Sequence, residues 1–235
     1  MKTIFSDFDG VLFDSVKEAY LLARFAYYGI SPDKPVVQDE YYIFRKYRYL
    51  NTHSWQFYYF FLLLENKTTD NLFETNYYEL TATPDLQRIK DFDEKYVSAR
   101  ENLIKYNYDF WNSLDEPYDF FFEVKELSKN PDYEFIILTN KKRLPVQNKI
   151  SQYGINKIKL FANEDLVSYN NKAEFIADYL NSHSVDSCYL IEDSIDNINS
   201  CKMYPQIKPL LVNWGYVNPK EKGLSEKEIL EIIKR

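Results

Sequence analysis

Cysteine is almost missing from this chain: two residues, Cys188 and Cys201, in 235. That number excludes a disulfide framework and a thiolate zinc cluster. Cys188 lies within the apolar run "SCYLIE" and reads as a small core residue of a reducing compartment. Glycine is scarce as well; with only 5 in the chain, each one calls for a reason. Broad positive charge is also absent. A net charge of −7 and a pI near 5.1 leave no basic footprint. Nucleic acid is thereby excluded as a main partner, because phosphate-backbone binding needs such a footprint. No apolar run reaches membrane length. The longest, "WQFYYFFLLL" at 55–64, is about half of the ~20 residues a spanning helix requires, so it reads as a buried helix. The first residues lack the basic flank, apolar segment and small-residue cleavage site of a signal peptide. The expectation is a soluble, cytoplasmic protein with no membrane partner.

What is plentiful is aromatic: 22 Tyr and 17 Phe. Most of that excess falls between residues 16 and 112, a block in which the sequence predicts helices and no strand. The first helix should open on a capping box from Ser15 to Glu18 and stop at Gly29. Further helices are expected over about 38–49 and 54–64, through "DNLFETNYYEL", and from Pro84 to about Asn112. No internal repeat or low-complexity linker interrupts them.

Around this block the grammar differs. "KTIFS" reads as a strand. From residue 117, helices alternate with the apolar strands "YEFIILTN", "KIKLFA", "SCYLIED" and "KPLLVNW", and the end, "SEKEILEIIKR", carries a second capping box. Alternation with continuously apolar strands predicts an α/β, Rossmann-like parallel sheet with helices on both faces. The chain thus divides into an α/β core, residues 1–14 and 115–235, and an inserted all-helical domain, residues 15–114.

Ligands of an open parallel sheet gather at the carboxyl ends of its strands. The first strand ends in Asp7-Phe8-Asp9-Gly10, the second in Thr139 and Asn140, the "CYLIEDS" strand in Glu192 and Asp193. Lys172 precedes the helix "AEFIADYL" on the same side, although Lys141, Lys142 and Lys159 are nearby candidates for the same role. A pair of strand-end carboxylates is expensive unless something positive belongs between them. The chemistry these groups can perform is phosphoryl transfer. A carboxylate attacks phosphorus and forms an aspartyl phosphate, and Mg²⁺ cancels the charge of two anions meeting. Hydroxyl, backbone N–H and lysine groups hold the equatorial oxygens. A second carboxylate two residues on serves the leaving alcohol and the attacking water.

"DFDGVLFDS", "ILTN", a lysine opening a helix and "LIEDSIDN", in that order, resemble the haloacid dehalogenase-like hydrolase superfamily, and the helical insert resembles its helical cap. The resemblance implies a Mg²⁺-dependent phosphatase acting on a small phosphorylated metabolite. Asp7 is then the nucleophile and Asp9 the general acid/base. Thr139, Asn140 and Lys172 bind phosphate. Asp7, the Asp9 carbonyl and Asp193 hold the metal, with Glu192 and Asn197 in its surroundings. Asn197 departs from the pattern, since many members carry a second acid there. Within the insert, Arg45 and Arg48 share a helical face by i,i+3 spacing. They either clamp a second acidic group of the substrate or merely solubilise an aromatic helix. A phosphomutase would use the same core residues. A dehalogenase would not need Asp9 or Asp193, and an inactive binding relative would be expected to have lost one of these groups.

Overall fold

The computed structural model describes residues 1–155 and 158–235. Contacts along the chain divide it into two compact units, Met1–Asp14 with Glu116–Arg235, and Ser15–Asp115. Among the described residues no helix is long and apolar enough to cross a membrane.

In the first unit β1 (Lys2–Ser6) and the short β2 (Phe13–Asp14) precede the excursion into the second. That second unit contains α1 (Val16–Tyr28), α2 (Gln38–Lys46), α3 (Phe57–Glu65), α4 (Asp70–Ala82), α5 (Leu86–Tyr106) and α6 (Tyr108–Asn112). The chain then returns through β3 (Glu116–Pro117), α7 (Asp119–Leu127), β4 (Tyr133–Leu138), α8 (Arg143–Gln152) and β5 (Lys159–Phe161). It finishes with α9 (Asn163–Leu166), α10 (Lys172–His183), β6 (Cys188–Glu192), α11 (Ile195–Ser200), β7 (Ile207–Leu211) and α12 (Glu226–Lys234). The sequence begins the "KIKLFA" strand at Lys157, which lies outside the described residues with Asn156; β5 starts at Lys159.

Five strands form a parallel sheet in the order β5-β4-β1-β6-β7. Successive side chains of a strand point to opposite faces, and both faces are covered. Ile4, Phe135, Ile137 and Ile191 pack with Phe121, Val124 and Val146 of α7 and α8, and with Ile229 of α12. Phe5, Ile136, Leu138 and Leu190 pack with Phe175, Ile176 and Leu180 of α10. Burial on both sides is why these strands read as unbroken apolar runs. β1 lies at the centre, so the residue that follows it emerges in the middle of the sheet's carboxyl edge.

The aromatic excess forms the interior of the helical unit. Phe44 sits among Phe57, Phe60 and Phe61, with ring centroids 5.0, 4.8 and 6.0 Å away, and Tyr47 stacks on Phe73 at 4.4 Å. Several local expectations need correction. Helix α1 begins where expected and ends on left-handed Gly29, but Ser15 makes no side-chain cap bond. Glu18 instead turns into the unit's interior, fully buried, and accepts hydrogen bonds from Arg100 Nε (2.8 Å) and Trp111 Nε1 (2.7 Å). The spacing of a capping box cannot distinguish a carboxylate that bonds its own backbone from one claimed by a distant arginine. The second capping box, Ser225 with Glu228, is present as expected. Helix α2 stops at Lys46, and Arg48 opens a separate 3₁₀ turn, Arg48–Leu50. The helix that should have carried Arg45 and Arg48 on one face therefore ends between them.

Candidate active site

Three strand ends converge through the register of the sheet. Ser6 is level with Ile137 of β4 and Ile191 of β6, and the Asp7 N–H continues the ladder to the Ile191 carbonyl at 3.0 Å. Asp7, Thr139 and Asp193 each leave the sheet within a residue or two of that line. Their grouping follows from strand length and register.

The Asp7 carboxylate is held at both oxygens. Oδ1 accepts the Phe8 N–H at 2.7 Å, and Oδ2 lies 2.9 Å from the Lys172 ammonium. Lys172 opens α10 behind the cap of Asn171, whose side chain accepts from Glu174 N. Its side chain is 2% exposed and also donates to Glu192 Oε1 at 2.5 Å. Glu192 is fully buried. It accepts further from the Asn197 amide at 2.8 Å and from the N–H groups of Asp193 and Ser194, both at 3.2 Å. Glu192 and Asn197 thus form a bracket that places Lys172 against Asp7.

Electrostatics reflect the crowding. Burial, then the charges of Glu192 and Asp193, push the Asp7 pKa well above the usual carboxylate range, with Lys172 opposing. Burial alone would lower the Lys172 pKa, but Asp7 and Glu192 outweigh it and hold the ammonium charged. Ligand oxygens of Asp7, Glu192 and Asp193 lie within 4.8 Å of one another. Like charges that close favour a positive neighbour beyond the one ammonium. A set of carboxylate oxygens suits a hard divalent cation such as Mg²⁺, with Asp7 and Asp193 its natural holders because Glu192 is turned to Lys172 and Asn197.

Thr139 is 1% exposed, and its hydroxyl accepts the Lys141 N–H at 3.1 Å, which leaves the hydroxyl proton to be donated elsewhere. Asn140 follows it, partly buried, at the same sheet edge. Asp9 is paired with Lys141, whose Nζ lies 3.0 Å from Asp9 Oδ1 and 5.6 Å from the Phe8 ring centroid. The structure therefore brings two lysines to the aspartate pair. In the sequence Lys141 and Lys172 compete for one role; in the fold they hold different carboxylates. Lys159 takes no part, since it lies at the start of β5 and bonds Glu134 and Tyr179.

A group missed in the sequence is the turn Trp214-Gly215-Tyr216 after β7. Tyr216 N–H donates to Asp193 Oδ2 at 2.8 Å, and Trp214 Nε1 donates to the Val11 carbonyl at 3.1 Å. The scarcity of glycine is the one signal in the sequence that could have found it.

Arg45 and Arg48 belong to the helical unit, Arg45 in α2 and Arg48 in the 3₁₀ turn that follows. Arg45 is exposed. Arg48 donates to the Asn51 carbonyl at 2.5 Å and lies over the Phe57 ring at 5.2 Å.

No family model matches the chain, and no curated protein does. Solved structures do. A predicted phosphoglycolate phosphatase from Haemophilus somnus superposes with a TM-score of 0.65 at 15% identity, covering 99% of this chain and 98% of that one. A haloacid dehalogenase-like family hydrolase from Streptococcus pneumoniae gives 0.62 at 13% identity, over 99% and 98% of the two chains. A predicted phosphatase from Clostridium acetobutylicum gives 0.60 at 13% identity, over 98% of each. The chain has the α/β fold of the haloacid dehalogenase-like hydrolases along nearly its whole length.

Proposed function

We propose that this protein is a phosphatase that hydrolyses a small phosphate monoester through an aspartyl phosphate on Asp7. The observation that carries the reading is the placement of Asp7. It sits at the centre of the sheet's carboxyl edge with its carboxylate braced by Phe8 N–H and Lys172, and Asp9 follows two residues later. The fold shared with named hydrolases and phosphatases supports it.

In this mechanism Asp7 attacks phosphorus with one carboxylate oxygen, and the bond to the ester oxygen breaks. Lys172 and the Thr139 hydroxyl bind the phosphoryl oxygens as charge develops on them, with Asn140 beside them. Asp9 gives a proton to the departing alkoxide and then takes one from the water that cleaves the acyl phosphate. Lys141 keeps the Asp9 side chain at the site edge until the substrate enters. Asp7 and Asp193, with the Asp9 carbonyl, would hold Mg²⁺, which when bound offsets the repulsion between the anionic nucleophile and the anionic ester.

The test is a panel of phosphate monoesters, including phosphoglycolate and sugar phosphates, incubated with the wild type and with Asp7→Asn, with Mg²⁺ or with chelator. Phosphate release should require Mg²⁺ and vanish in Asp7→Asn without loss of fold. Release that survives in Asp7→Asn would remove it as nucleophile. Transfer between sugar hydroxyls without steady release would replace hydrolysis by a mutase.

A further inference from the structure

The Asp193 carboxylate is oriented from outside the three strand ends that supply the site. Its Oδ2 accepts the Tyr216 N–H at 2.8 Å in a buried setting. The turn that delivers this amide is pressed onto the loop after β1. A Cβ on Gly215 would overlap the Gly10 carbonyl oxygen and come within 2.9 Å of Asp193 Cβ. Gly10 has φ +83°, a conformation that favours glycine, and a Cβ there would overlap Asp193 Oδ2 and meet the Tyr216 ring at 2.8 Å. Two of the chain's 5 glycines thus face each other across the carboxylate. The turn is tied at both ends. Trp214 Nε1 donates to the Val11 carbonyl at 3.1 Å while its ring packs 5.3 Å from Phe120. Tyr216 hydroxyl donates to Asp14 Oδ1 at 3.1 Å. Every one of these bonds joins the turn either to Asp193 or to residues 10–14, the loop behind the aspartate pair.

Resting on the function proposed above, we infer that Trp214-Gly215-Tyr216 is a positioning element for the cation site, aligning Asp193 with Asp7 through the Tyr216 amide and the close contact of Gly215 with Gly10. The turn fixes the direction in which Asp193 presents its oxygens, so its disturbance weakens cation binding first.

The experiment is calorimetric titration of Mg²⁺ into the substrate-free protein, comparing wild type, Gly215→Ala, Trp214→Phe and Ile229→Val. The last trims a fully buried side chain of α12 and controls for lost stability. Gly215→Ala should bind Mg²⁺ at least tenfold more weakly, and Trp214→Phe, which keeps the ring but loses the bond to Val11, severalfold. Ile229→Val should bind as the wild type does. Substrate KM at saturating Mg²⁺ should stay within twofold in Trp214→Phe, with turnover restored by added Mg²⁺. If Gly215→Ala does not fold, Trp214→Phe decides. Wild-type affinity in the folded turn variants overturns the inference and leaves the phosphatase reading standing. A wild type that binds no Mg²⁺ overturns both.

Discussion

Replacing Lys172 by Met removes an ammonium while keeping most of the stem's volume. In the native protein that ammonium is 2% exposed and bridges Asp7 at 2.9 Å and the fully buried Glu192 at 2.5 Å. Without it, Glu192 keeps the Asn197 amide and two backbone N–H donors but loses its counter-charge. Breaking a buried ion pair from one side costs about 3–5 kcal/mol. For a chain of this size that corresponds to a fall in Tm of roughly 6–20 °C. The cause is an uncompensated carboxylate, so a second change should relieve it. Lys172→Met/Glu192→Gln should recover about 1–3 kcal/mol relative to the sum of the single variants. The pH dependence has a definite sign. The Lys172 pKa is raised in the fold, so its contribution is complete below the ordinary lysine range and is lost only as pH rises through the folded value. The Lys172 ammonium of the wild type therefore stays charged from about pH 6 to 9. Calorimetric melts in chelator, run on the four members of the cycle, provide the measurement. Strict additivity, or a Lys172→Met melt within 2 °C of wild type, would refute the bracket described here.

Further outcomes follow from the same contacts. Lys141→Ala should reduce kcat more than tenfold with a smaller change in Mg²⁺ affinity, because Lys141 pairs with the Asp9 carboxylate; an equal loss of Mg²⁺ binding would contradict that reading. Glu18→Gln leaves Arg100 without its buried carboxylate and should destabilise the helical unit by about 3 kcal/mol, read as an earlier transition in the helical circular dichroism signal. Ser225→Ala removes a cap bond to Glu228 and should cost about 1 kcal/mol in urea denaturation. Asp7→Asn takes one charge from a crowded cluster, so its Tm in chelator should equal or exceed that of the wild type; a clear fall would show Asp7 to be structural.

The local order of this protein was readable along the chain. Apolar runs that end in Asp7-Phe8-Asp9, Thr139-Asn140 and Glu192-Asp193 announce strands buried on both faces, because a strand with one wet face would alternate. The helical, aromatic character of residues 16–112 was equally plain, since ring-rich helical patterns have no other interior to fill. What the chain could not show is which charges meet. Glu18 has the spacing of a cap residue, yet Arg100, 82 positions away, claims it. Arg45 and Arg48 have the spacing of a shared face, yet the helix closes at Lys46 before the face is complete. Lys141 and Lys172 are competitors for one role until the sheet register sets each beside a different aspartate. Periodicity and strand-end chemistry are properties of neighbours in sequence, so sequence by itself determined the elements and the types of group at their ends. Pairing of buried charges, and the turn that holds Asp193 from more than twenty residues away, depend on packing among distant segments, and only the tertiary structure decided them.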